Sequence, residues 1–105
     1  MENFISSPKV MSAWFKDLAL KSHAFKCELR LPSEESSINK SAAFFDNGAY
    51  LASLTVWGNG TGEWILFDVN PEKEIEVNNF EFHSESELVL LMNSFINRLA
   101  TIASK

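Results

Sequence analysis

The sequence predicts an α+β domain. Its antiparallel sheet, a meander of about five strands, is flanked by an N-terminal and a C-terminal helix. Three observations lead there. Apolar residues recur at helical spacing near both ends of the chain. Between them runs a series of short segments that alternate apolar and polar. The connectors between those segments are short and turn-like, so no crossover helix fits, and consecutive strands must pair antiparallel.

Ser7-Pro8 opens the first helix. Serine suits the N-cap, and proline suits the first helical position, where a missing N–H costs nothing. Val10, Met11, Trp14, Phe15 and Leu18 then form one stripe, with Trp14 as its core anchor, and the helix fades near Lys21-Ser22-His23. Phe25, Cys27, Leu29 and Leu31 alternate with Lys26, Glu28 and Arg30 in a strand that ends at Pro32. Cys27 falls on its buried parity and reads as a small hydrophobe. Ser33 to Lys40 is a polar loop, and Ala42 to Asp46 a short strand before the turn signal Asp46-Asn47-Gly48.

Tyr50 to Val69 is the firmest element: two strands joined by Gly58-Asn59-Gly60-Thr61-Gly62, whose glycines tolerate the positive φ of a hairpin turn. Asn70-Pro71-Glu72-Lys73 makes another turn. Glu74 to Val77 alternates again, with Ile75 and Val77 inward, and Asn78-Asn79 reads as a bulge or break before Phe80. Ser84 and Glu87 fit a capping box, and Leu88, Leu91, Met92, Phe95, Leu99 and Ile102 carry the last helix to about Ala103.

At 105 residues, 46 % of them hydrophobic, the chain can fill one modest core, so residues 1–105 read as a single domain. Its one cysteine, Cys27, excludes an internal disulfide and a cysteine-rich zinc site. No apolar run approaches the ~20 residues of a membrane helix. The opening Met1-Glu2-Asn3-Phe4 lacks the basic start of a secretory signal, so a cytoplasmic location is expected. The net charge of −5 is uneven. Residues 1–40 hold six Lys or Arg against five Asp or Glu, and residues 41–105 hold three against nine. Eight of those nine acids lie between Glu63 and Glu87, a surface that repels nucleic acid and speeds encounter with a basic partner.

Motifs for chemistry are lacking. His23 and His83 have no companions at metal-ligand spacing, and there is no nucleophile elbow, P-loop or dinucleotide fingerprint. The chain is therefore expected to be neither an enzyme nor a cofactor or metal carrier. Glu74 and Glu76 share a solvent parity and read as a solvated edge.

With both helices on one face, the inward parity holds Phe25, Cys27, Leu29, Leu31, Ala52, Leu54, Val56, Ile65, Phe67, Val69, Ile75 and Val77. The outward parity holds Lys26, Glu28, Arg30, Ser53, Thr55, Trp57, Trp64, Leu66, Asp68, Glu74 and Glu76. Trp57, Trp64 and Leu66 then cluster on adjacent strands as an acid-rimmed aromatic patch, the form of a protein-binding hot spot. The competing arrangement has one helix cross to that face and bury both tryptophans.

Leu54-Thr55-Val56-Trp57, Gly60, Glu63, Asp68 and the acidic stretch that leads to Phe82 and Ser84-Glu85-Ser86-Glu87-Leu88 resemble small bacterial immunity proteins of the TriTu type, encoded beside polymorphic toxins. The resemblance covers roughly residues 50–100, and the helix after Ser7, with Trp14, fits the same layout. It implies a bacterial protein that binds and neutralises a cognate toxin domain, expected to be a basic nuclease such as those deployed in contact-dependent growth inhibition. Trp57, Trp64 and Leu66 would form the contact core, and Glu63, Asp68, Glu72, Glu74, Glu76 and Glu81 would steer the toxin. The alternative is an acidic secretion chaperone or adaptor that holds an effector segment.

Overall fold

The computed structural model describes residues 8–22, 25–31, 40–69 and 73–103. Their order is α1 (Pro8–Lys21), β1 (Lys26–Arg30), β2 (Lys40–Asp46), β3 (Tyr50–Trp57), β4 (Thr61–Asp68), β5 (Lys73–Glu81) and α2 (Glu85–Ala103). The strands form one antiparallel sheet in sequential order, β1 to β5. This is the predicted α+β meander between two helices. Ser7, His23, Pro32, the loop after it and Asn70 to Glu72 lie outside the described residues.

Both helices pack on the same face of the sheet. Phe15 and Leu18 of α1 share one buried cluster with Leu88, Met92, Phe95, Leu99 and Ile102 of α2 and with Ala43, Phe45, Ala52, Leu54 and Val56 of the sheet. Phe15 is fully buried, whereas Trp14 is only half-buried against the cluster, so Phe15 is the anchor of α1. Ser84 caps α2 as the sequence indicates, its Oγ accepting from Glu87 N–H at 3.2 Å, while the Glu87 carboxylate of the expected box takes the Ser84 hydroxyl, Oγ donating to Oε2 at 3.4 Å.

Turn chemistry sets the strand registers. At the β2–β3 turn, Asp46 Oδ1 accepts from Gly48 N–H at 2.8 Å and Asn47 Oδ1 accepts from Tyr50 N–H at 2.8 Å, while Gly48 sits at φ +90°. The β3–β4 turn is only Gly58-Asn59-Gly60, with Gly60 at φ +99° and its N–H donating to the Trp57 carbonyl at 3.2 Å. Trp57 therefore pairs with Thr61, and Leu54 with Trp64.

That register overturns the predicted parity of β4. Paired residues share a face, so Trp64 and Leu66 join Leu54 under the helices, at 6 % and 0 % exposure. Ile65 and Phe67 turn to the opposite face, and Val77, paired with Ile65, is 47 % exposed. Val69 is half-buried in the turn after β4. The irregularity in β5 also differs from the expectation at Asn78-Asn79. Those residues pair regularly with Trp64 and Glu63. The register shift falls at Leu66/Phe67, opposite Glu76 and Glu74, with Ile75 the extra residue. Glu74 and Glu76 therefore do not share a face.

Gly62 illustrates how tightly the helix side is built. It is buried opposite Phe80, and a Cβ there would run into the Phe80 ring and meet the Thr55 carbonyl at 3.0 Å. Phe80 is itself wedged between Trp64, at 5.6 Å between centroids, and Phe82, at 6.4 Å. Gly62→Ala is expected to cost about 1–3 kcal/mol, because overpacking forces neighbours off their rotamers. Urea unfolding of the variant would measure it, and an unchanged midpoint would contradict this packing.

Candidate binding face and the Glu76 clamp

The predicted cluster of Trp57, Trp64 and Leu66 does not exist, because those residues lie on opposite faces. Trp64 is a core residue. Its ring stacks at a tilt on Phe95 and Phe80, 5.7 and 5.6 Å between centroids. Its indole Nε1–H donates to Glu76 Oε2 at 2.6 Å, and Arg98 of α2 donates to Glu76 Oε1 at 2.8 Å. Glu76, expected to be a solvent-facing steering acid, thus joins β4, β5 and α2 from the helix side. Asp68 shares the parity of Trp64 and Leu66 and is half-buried at the strand end opposite Tyr50. Glu72 lies outside the described residues.

The indole hydrogen bond lowers the Glu76 pKa from its ordinary value of 4.5; burial pushes the other way, and Arg98 lowers it further. A carboxyl lowered on folding adds stability above its unfolded pKa and loses it as pH falls through the folded value. The Glu76 contribution should therefore be complete at neutral pH and disappear on acidification below about 4.5. Glu76→Gln should cost about 1–3 kcal/mol at pH 7, with the gap from wild type closing in acid. Urea midpoints across the acid limb would check this, and a constant gap would refute the assignment.

The other face of the sheet is covered by no described helix. Across it runs one cross-strand row, Glu28, Phe44, Ser53, Ile65 and Val77, with Leu51 opposite Phe67 in the next row. Phe44 is 43 % and Leu51 40 % exposed. Trp57 closes the far end of the face, half-buried, with Lys40 Nζ 5.6 Å from its ring centroid. Of the predicted partner-binding residues, Trp57, Glu63, Glu74 and Glu81 stand on this face. Sequence reasoning missed Phe44, Leu51, Ile65, Phe67 and Val77. Ile65, Phe67 and Val77 were assigned to the core and the register sends them out; Leu51 fell on the outward parity of Trp57 without being singled out, and Phe44 had no assigned face.

Charge divides the open face. Lys26, Arg30 and Lys40 lie on β1 and β2, together with Glu28 and Asp46, and Arg30 pairs with Glu28 at 3.4 Å. On β4 and β5 the described charged side chains of this face are Glu63, Glu74 and Glu81. Among the described residues no cluster of His, Cys, Asp and Glu could hold a metal ion. Burial pushes the Cys27 thiol pKa up, which keeps it from the reactive thiolate form. No described helix is long and apolar enough to cross a membrane.

Compared with protein-family models, curated proteins and solved structures, the chain matches none of them.

Proposed function

We propose that this chain is an immunity protein that neutralises a cognate antibacterial toxin domain by stoichiometric binding, in the cytoplasm of the cell that makes it. The observation that carries this reading is the sheet face that no described helix covers, apolar at its centre and acidic along β4 and β5. A large exposed apolar area rimmed by charge is the form of a protein contact surface. The resemblance of Leu54 to Leu88 to the TriTu-type family selects which contact. Glu63, Glu74 and Glu81 would steer a basic toxin, a nuclease in this reading, and occupy the surface it uses for nucleic acid. Trp57 and the Ile65–Val77 pair would supply the contact core in place of Trp64 and Leu66.

The nine-residue edge strand β5 favours a second reading, a secretion chaperone or adaptor that adds an extended effector segment to its free edge. Co-expression separates the two. The toxin domain encoded beside this gene is produced in a sensitive cell with and without this chain, and the purified proteins are then mixed. Rescue with a one-to-one complex supports immunity. Binding to an unfolded segment without rescue supports the chaperone, and neither result discards both. Glu63→Lys, Glu74→Lys and Glu81→Lys together should slow association at least tenfold at low salt, with the difference shrinking as salt is added. Stopped-flow binding would read it, and an unchanged rate would move the interface elsewhere.

A further inference from the structure

We propose that the open sheet face is also a self-association surface, on which two copies stack face to face about a two-fold axis parallel to the strands. This goes beyond the toxin reading and does not rest on it. Three observations carry it.

The first is area. Five strands spaced ~4.8 Å apart, five to nine residues long at ~3.3 Å per residue, make a face of about 600 Å². Two such faces bury about 1,200 Å² together, within the range of specific interfaces. The second is apolar content. Phe44, Leu51, Ile65, Phe67 and Val77 form two neighbouring cross-strand rows, and sheets that pack face to face bury such rows.

The third is charge, which also chooses the axis. A two-fold axis parallel to the strands carries β1 of one copy over β5 of the other and leaves each row facing its own reversed image. Lys26 then lies over Glu74, Phe44 over Ile65, and Leu51 over its counterpart on the partner. Arg30 comes over Asn79, between Glu63 and Glu81. A two-fold axis across the strands would instead stack β5 on β5, acid against acid. Of the two, only the axis parallel to the strands brings bases over acids, as a favourable isologous contact requires, and it sets Glu28 over Val77 and Asp46 over Phe67 at the margins. A basic partner would compete with the second copy for the same acids.

Sedimentation equilibrium of the full chain, from micromolar to millimolar, tests this together with two charge variants. Wild type should form a dimer that weakens with salt. Lys26→Glu with Arg30→Glu makes both flanks acidic, and Glu74→Lys with Glu81→Lys makes both basic. Each variant alone should be monomeric where wild type is dimeric, and their equimolar mixture should recover a dimer. Circular dichroism establishes that each variant is folded, and Val77→Asp, at an exposed site, should weaken association about tenfold or more. A wild-type monomer throughout the range overturns the inference. So does a dimer indifferent to all these substitutions, since another surface would then hold it. The outcome is separate from the co-expression result: immunity without a dimer removes only this inference, and a dimer without immunity removes only the toxin reading.

Discussion

Trp64→Ala is expected to lower stability by about 3–5 kcal/mol, as large-to-small changes at buried aromatics do. The ring is 6 % exposed and touches Phe80 and Phe95, so its removal opens a cavity under α2 that backbone hydrogen bonds on both sides keep from closing. It also strands Glu76 Oε2, which accepts the indole N–H at 2.6 Å. A domain of this size holds only about 5–15 kcal/mol in total, so the variant should melt far below wild type. Trp64→Phe divides the loss, because it keeps most of the apolar volume and removes the donor. It should cost about 1–3 kcal/mol, and part of that should vanish once Glu76 is protonated. Thermal and urea unfolding would measure both. If Trp64→Ala changed partner affinity while stability stayed within about 1 kcal/mol of wild type, Trp64 would be a surface contact after all.

Phe95→Ala should be comparably severe, at about 3–5 kcal/mol. Phe95 is fully buried where α2 crosses the sheet, 5.5 Å from Phe45 and 5.7 Å from Trp64 between centroids. It is the ring through which α2 grips β2 and β4 together. Its loss frees two aromatic partners and weakens the docking of a helix that seals one side of the core. Because Phe95 and Trp64 touch, the two alanine changes should not add. The second removes contacts already lost, and the double mutant should be more stable than the sum predicts by about 0.5–3 kcal/mol. Full additivity would mean that the rings do not share a cavity.

Several elements were legible because local patterns specify them. Ser84 and Glu87 announced the start of α2, and the spacing from Leu88 to Ile102 announced its buried stripe, five residues of which lie in the core. In β1 the alternation of Cys27 and Leu29 with Lys26, Glu28 and Arg30 leaves one choice of face, and the structure takes it. β4 offers no such contrast. Trp64 and Leu66 on one parity are as apolar as Ile65 and Phe67 on the other, so hydrophobicity cannot say which pair enters the core. One local fact did contain the answer: an odd number of connecting residues leaves even numbers opposite even numbers. Both the anticipated five-residue connector and the observed three-residue one therefore set Trp64 on the face of Leu54. The Ile75 irregularity had no comparable signal, and with it went the reading of Glu74 and Glu76 as neighbours.

The sequence by itself determined the class, the order of the elements, the buried stripe of α2 and the acidic bias of the second half. Each of these rests on residues near one another along the chain, where periodicity, caps and turns act directly. Only the tertiary structure decided which face of the sheet the helices would cover and where β5 would shift its register, and with them which apolar residues beyond the β3–β4 pairing would remain on the open face. That choice is made between strands, by the register the turns impose and by the side on which the helices land. The same choice carried Trp64 away from Trp57, drew Glu76 in to Arg98, and left Phe44, Leu51 and Val77 facing outward among the charges.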